Sequence, residues 1–417
     1  MSKTLKDLFI ITAATIGLTI AIWLPHFLNL NSFYKLDYSA GFNTIYRNFD
    51  GMEYVMIAKT LYDPVKLQHL PQNLPASYFP AHFPGYALLI LAFAPIFGFL
   101  KSMLLVSLIS TILAALLFYK LVKDFKLTEH PLMLSLLFLI LPARWVIVHS
   151  VGSSEPTFIL FVLATIYSIM KFERHYERSA AISKGYHWII LAGLAGFAAQ
   201  FTRPPGAILS LAIVVYIVWK ILKQVNAQSQ QDNKQQNVPR TFKYVIASIA
   251  RQSLSAFINY LPLILLPLSL VVVFFWYFLT FGDFFIYFKT GDNIHLTFPP
   301  FHVFNIAEYW VGDIWLEDMI YIFLIGFSGA FLLFKKNLKL MGIFVLIYML
   351  AGISIAHRDI SRYLLPIFPF ILISYEKFLT SKEFKWAAII VLLGIYLYSQ
   401  NFILQNVAPY PNVELFN

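Results

Sequence analysis

The segment RNFDGMEYVMIAKTLYD, Arg47–Asp63, is a polar island in an otherwise apolar chain. One apolar run precedes it, from about Leu8 to Leu28, and the next begins near residue 86. The intervening loop, 29–85, gathers Arg47, Asp50 and Glu53 with Tyr54 and Tyr62 onto a stretch patterned as a short helix lying at a membrane surface. Ionisable groups are costly within hydrocarbon, so a cluster of them needs a purpose. A transporter more often buries its carboxylates at mid-membrane depth; a loop at the water–lipid boundary instead suits a carboxylate that performs chemistry.

Composition supports the membrane setting. Hydrophobic residues fill 59% of 417 positions and charged residues only 12%, with a mean hydropathy of +0.69. Soluble domains carry about 25% charged residues, so the expectation is an all-α polytopic membrane protein, a single integral-membrane domain over 1–417. The net charge of +10 does not point to nucleic acid, because the basic residues fall in short clusters between apolar runs. Such clusters orient spans and touch anionic headgroups, making membrane lipids the expected partner. Cysteine is absent, which excludes disulfides, thiol nucleophiles and cysteine metal sites. The first run follows Lys3 and Lys6 and ends in Trp23, Pro25 and His26 rather than a small-residue cleavage site. It reads as an uncleaved first span.

Further apolar runs lie at roughly 86–122, 131–148, 156–171, 187–202, 206–222, 257–280, 316–334, 340–356, 363–376 and 386–402. Since about 20 residues cross the hydrocarbon core, 86–122 is either two helices broken near Gly98 and Lys101 or one crossing with a re-entrant piece. The basic clusters at Lys120–Lys126, Lys171–Lys184, Lys220–Lys243, Lys335–Lys339 and Lys377–Lys385 all fall in the cytoplasm if 86–122 changes sides. That alternation predicts eleven crossings, or twelve with two in 86–122. The Gln/Asn-rich segment within 224–253 reads as a flexible cytoplasmic linker. The loops left outside, presumed to face beyond an inner (plasma) membrane, are the first loop, the turns around Glu155 and Arg203, a second large loop over 282–315, and HRDISRY with Arg358 and Arg362.

These outer loops hold the candidate chemistry. Asp50 and Glu53 have capping-box spacing, Asp as N-cap and Glu at the third helical position, which is one reading. The other makes Asp50 a general base that removes a proton from an attacking hydroxyl, with Glu53 beside it. Arg203, in TRPPG, either ties down carbonyls freed by Pro204 and Pro205 or binds a phosphate through its guanidinium fork. Two arginines beside Asp359 on the outer side, Arg358 and Arg362, run against the usual cationic flank inside and suit an anionic ligand. Glu155 either caps the helix entered at Pro156 or orients substrate hydroxyls. His82 is an interfacial histidine read mainly as structural. Arg144, inside LPARWVIVH, is a candidate second phosphate contact. Asp283, Lys289, Asp292, His295 and His302 in the second loop match no metal template, and Asp50 with Glu53 supplies too few oxygen ligands for a convincing divalent site.

Several segments together resemble the PIG-V-like mannosyltransferases and the wider GT-C class of membrane glycosyltransferases. Phe49, Asp50 and Tyr54 are similar to the (W/F)-D-x-x-x-Y core of their long first outer loop. Phe83 to Gly98, FPGYALLILAFAPIFG, is similar to an F-P-x-Y-P-L-L helix, and Ser153–Pro156 to an S-E-x-L/F turn. Thr202, Arg203 and Gly206 resemble a T-R-x-x-G turn. Gly282, Asp283 and Phe284 resemble a G-D-P-x-x-F loop, with Phe where Pro is common, and Arg362, Tyr363 and Pro366 an R-Y-x-x-P element. In order, these cover about 40 to 370. The resemblance implies inverting transfer of a hexose from a polyprenyl-phosphate donor to a hydroxyl on a lipid, glycan or protein acceptor at the outer face. It casts Asp50 as base, Arg203 and Arg362 as ligands of the departing phosphate, and Tyr54, His82, Glu155 and Arg358 as substrate contacts. Family relatives differ in whether they need a divalent metal. No nucleotide-binding loop is visible in the sequence, as a lipid-held donor allows.

Two other classes compete. A lipid-linked sugar flippase would place charges within spans and carry internal repeats, whereas here span centres are almost charge-free and no convincing repeat is found. A membrane scaffold explains the composition but not the gathering of carboxylates and arginines outside.

Overall fold

The computed structural model describes residues 2–178, 185–235, 258–290, 296–305, 315–410 and 413–416. Lys184, Lys243, Asp292 and His295, each named above, lie outside the described residues. Every apolar run of the sequence appears as helix, and the described residues contain isolated β-bridges but no strand. The protein is an all-α polytopic membrane protein.

The number of full crossings differs from the eleven or twelve expected. Among the described residues seven helices are long and apolar enough to cross, with an eighth if the bent pair Pro131–Ile140 and Ala143–Ser150 counts as one. Pro84–Phe97, Lys339–Gly352 and Ile360–Ser374 are apolar but shorter, against the roughly 20 residues a straight crossing takes. Hydropathy records where apolar residues fall and is blind to where a helix is interrupted. In 86–122 the interruption is Gly98, whose φ of +76° a residue with a side chain rarely adopts. It divides the run into helices of 14 and 26 residues. At Pro142 the chain turns by 73°. The Gly206–Gln235 helix continues across the first part of the segment expected as a flexible linker, and 236–257 lies outside the described residues.

The Glu155–Arg178 helix is central, packing against Tyr186–Thr202 on one side and Phe99–Asp124 on the other. Its two ends differ in chemistry. At one end Lys171 pairs with Asp124 at 2.7 Å, and Glu173 accepts from Lys220 at 2.7 Å and from Tyr216 and Tyr260. At the other end Glu155 opens the helix, roughly 24 Å from Lys171 at 1.5 Å per residue. Lys171, Lys220 and the Asp124 end of the Phe99–Asp124 helix thus stand together at one end of this helix, and Glu155 at the other.

The Gly51–Thr60 helix does not lie on a membrane surface as its pattern suggested. All of its residues except Lys59 are buried, and it packs against Pro84–Phe97 and Phe99–Asp124. Gly51 permits this: a Cβ there would meet the Gly152 carbonyl at 2.9 Å. Hydroxyl groups inside this packing link its segments. The Tyr86 hydroxyl donates to the Met103 carbonyl at 2.8 Å and lies 2.6 Å from Ser107 Oγ, and Ser107 Oγ donates to the Ser153 carbonyl at 3.1 Å. The turn before Glu155 is thereby tied to both neighbouring helices.

Candidate active site

Three local devices aim charged side chains at one place. The residue before a proline is driven into extended backbone. Arg203, before Pro204, has φ −150° and ψ 145°, so the Tyr186–Thr202 helix stops and the arginine leaves its axis. Gly85 lets the Pro84 helix start against this turn, since a Cβ would lie 2.8 Å from the Phe201 carbonyl. Phe49 takes a left-handed backbone, φ +49°, unusual for a bulky residue, and turns the chain so that Asp50 follows at the N-cap position. Asp50 makes no side-chain cap there. Its carboxylate is spent elsewhere.

Arg362, on the short Ile360–Tyr363 helix, donates from Nη2 to Asp50 Oδ2 at 2.7 Å and from Nε to Glu155 Oε1 at 2.5 Å. Arg203 pairs with the same Glu155 oxygen and reaches Ser154 Oγ at 3.4 Å. Ser153 donates its hydroxyl to the second Glu155 oxygen, and Ser154 Oγ donates to the Tyr54 hydroxyl at 3.0 Å. Side-chain exposure is 5% for Arg362 and 1% for Glu155, but 34% for Asp50, which opens into a cavity. The Arg362 guanidinium also lies 4.1 Å from the centre of the Phe49 ring, a cation–π contact. Residues 50, 155, 203 and 362 come from four separate segments and form one charge chain.

Electrostatics follow from this geometry. Burial alone would push the Asp50 carboxyl up; the Arg362 guanidinium, with His82, outweighs it and holds the group below its ordinary value. Asp50 is therefore a carboxylate at neutral pH. Burial pushes the Tyr54 hydroxyl up to about 12, leaving it a neutral donor.

The cavity, about 910 Å³, is lined by the charged and polar side chains of Asp50, Tyr54, His82, Glu155, Arg203, Arg358 and Arg362. Its lining also includes the apolar Ile208, Leu270, Phe274, Phe288 and Leu296. Glu53, expected beside Asp50, is not on the cavity lining; its Oε1 accepts from the Tyr410 hydroxyl at 2.7 Å. Glu155 has its oxygens engaged by Arg203, Arg362 and Ser153. His82 stacks edge-on with Tyr54 at 5.3 Å, and its carbonyl accepts from Tyr62 at 2.6 Å. Arg358 is exposed and lines the cavity. Arg144 is not on the lining; it pairs with Asp359, which is, and packs its guanidinium 3.9 Å from the Phe402 ring. Asp283 pairs with Lys289 away from the cavity.

Sequence reasoning missed the segment after the last long helix. Gln405 to Ala408 line the cavity, and this segment lies against the turn that carries Asp50. Contact between positions about 360 residues apart leaves no trace in periodicity. The second outer loop is similarly drawn in: Thr297 N donates to the Ser354 carbonyl at 2.6 Å, placing Leu296 beside the segment that leads to Arg358.

A divalent ion does not fit this donor set. Among the described residues no three His, Asp or Glu side chains group to hold one, and Asp50 and Glu155 face guanidiniums.

No protein-family model matches the chain, and no curated protein matches it by sequence. Solved structures do. The oligosaccharyltransferase of Archaeoglobus fulgidus, tethered to an acceptor peptide, matches with a TM-score of 0.52 at 13% identity over 98% of this chain. The match covers 56% of that protein, so this chain spans about half its length. ArnT from Cupriavidus metallidurans, bound to undecaprenyl phosphate, matches at a TM-score of 0.46 and 13% identity, over 91% of this chain and 62% of that one. At such identity the likeness is one of fold. That fold is the GT-C-like membrane architecture that the sequence motifs resemble.

Proposed function

We propose that the protein is an inverting membrane glycosyltransferase that moves a hexose, with mannose the first candidate, from a polyprenyl-phosphate donor to a hydroxyl acceptor at the extracytoplasmic face. The observation that carries this reading is one cavity whose lining combines a charge chain of Asp50, Arg362, Glu155 and Arg203 with aliphatic and aromatic side chains. A polyprenyl-phosphate sugar combines the matching chemistries, an anionic head and a hydrocarbon tail.

In this reading Asp50 accepts the proton of the acceptor hydroxyl as its oxygen attacks the anomeric carbon. The bond from that carbon to the phosphate oxygen breaks on the opposite face, and the phosphate leaves with the bonding electrons. Arg203 and Arg362 stabilise the negative charge that grows there. Glu155 holds both guanidiniums in place before the donor arrives. A phosphate competing for Arg362 weakens the contact that keeps Asp50 a poor base, so donor binding raises its basicity when it is needed. Tyr54, His82 and Arg358 line the space left for the sugar and the acceptor.

The test is transfer in vitro from a panel of polyprenyl-phosphate hexoses, comparing wild type with Asp50→Asn. Turnover by wild type and a loss of at least about 10²-fold in the variant are expected. Equal activity of both overturns the base assignment, and equal lipid scrambling by both without transfer makes the protein a flippase.

A further inference from the structure

Residues 406–410 form a strap across the turn that presents Asp50. Ala408 N donates to the Arg47 carbonyl at 2.7 Å, and Asn48 and Val407 form an antiparallel bridge. Arg47 Nη1 donates to the Tyr410 carbonyl at 3.0 Å. Asn406 Nδ2 donates to Asn48 Oδ1 at 3.4 Å, while Asn48 Nδ2 donates to the Ile403 carbonyl at 3.0 Å. At its far end the Tyr410 hydroxyl donates to Glu53 Oε1 at 2.7 Å, on the first turn of the helix that Asp50 begins. The ring of Tyr410 meets Phe416 edge-on at 5.9 Å.

The strap therefore grips both sides of Asp50: residues 47 and 48 before it and Glu53 after it. Gln405 to Ala408 at the same time form cavity wall. We infer that this strap is a positioning element for the proposed transfer, with Tyr410 acting through Glu53 to hold the Asp50 carboxylate where the acceptor hydroxyl is delivered. The inference rests on the function proposed above. It gives Glu53 a role that the capping-box spacing obscured: an acceptor for Tyr410 rather than a second base. Bound donor contacts Arg203 and Arg362, which the strap does not touch, so loss of the strap's grip separates catalysis from donor binding.

Tyr410→Phe removes the hydroxyl and keeps the ring on Phe416. A displacement of the reacting group by a fraction of an ångström to one ångström costs up to about 10²-fold, and about tenfold in kcat is expected, with the donor KM within about twofold of wild type. Glu53→Gln still accepts from Tyr410 and loses less than about threefold, whereas Glu53→Ala loses as much as Tyr410→Phe. A charge-dependent role for Glu53 would instead make Gln as poor as Ala. Independently of activity, hydrogen exchange of the amides over 47–54 in the full-length protein is expected to accelerate in Tyr410→Phe. Unchanged exchange, or a variant with wild-type kcat, overturns the inference. If Asp50→Asn is inactive while Tyr410→Phe matches wild type, the strap alone fails; if Asp50→Asn retains full transfer, the base assignment fails, and if wild type shows no transfer the proposed function fails, while the exchange result still decides whether the strap holds the 47–54 segment.

Discussion

Asp50 and Asp359 occupy the same kind of position and meet the same fate. Each stands at the N-cap of a helix, neither caps it, and each pairs with an arginine from a distant segment, Arg362 and Arg144 respectively. Local spacing around Asp50 spells a capping box; the partner that overrides it lies 312 positions away. Arg362 reaches Asp50 through Nη2 and Glu155 through Nε, a fork that a lysine ammonium lacks. Arg362→Lys is accordingly expected to lower transfer by about 10²-fold or more, measured as kcat in the same assay. The depressed Asp50 carboxyl has a sign for pH. Its contribution to stability is fully present above the unfolded value of 3.8 and is lost as pH falls through the lower folded value. For activity, kcat/KM reports the free enzyme and kcat the donor complex, in which Arg362 is shared with phosphate. The acid limb of kcat is expected at higher pH than that of kcat/KM, and coincident limbs would show that Arg362 stays with Asp50 throughout.

At the scale of elements, the site depends on close backbone approach. The Gly51–Thr60 helix starts where Gly51 meets Gly152, and an alanine Cβ would stand 2.9 Å from the Gly152 carbonyl and 2.9 Å from Met103 Sδ. Met103 is flexible enough to yield; the carbonyl belongs to the turn that carries Ser153, Ser154 and Glu155. Gly51→Ala is expected to cost about 1–3 kcal/mol through overpacking, read as a lowered Tm in detergent. It should also reduce transfer, because it separates Asp50 from Glu155. A Tm and activity equal to wild type would mean the two segments have slack between them. The bent pair Pro131–Ile140 and Ala143–Ser150 works similarly, its second helix bringing Arg144 to Asp359 and thus bracing the short helix that bears Arg362.

For the molecule as a whole, the segregation of charge was legible in the sequence. The clusters at Lys123, Lys171 and Lys220 fall together at one end of the bundle, and Asp50, Glu155, Arg203 and Arg362 converge in one cavity at the other. Hydropathy located the helices because apolar side chains must face lipid or core. It counted more crossings than there are long apolar helices among the described residues, because runs such as 340–356 and 363–376 form helices shorter than a straight span. The strap and the Arg144–Asp359 pair were illegible, since both join segments whose spacing carries no period. The absence of cysteine makes the proposed orientation directly measurable. A single cysteine at Lys66, whose side chain is 66% exposed on the cavity side loop, is expected to react with a membrane-impermeant maleimide in intact cells, and one at the exposed Lys126 only after lysis. The reverse pattern would turn the cavity towards the cytosol.

The Phe49 backbone has a consequence of its own. A left-handed conformation costs a residue with a side chain about 1–2 kcal/mol and persists only where surroundings leave no alternative. Here the ring is clasped between the Arg362 guanidinium and the stacked face of Phe402. The carboxylate that follows is mounted on a fixed bracket rather than a hinge. A rigid inhibitor shaped to the hollow is expected to meet the same wall that the proposed donor sugar would meet.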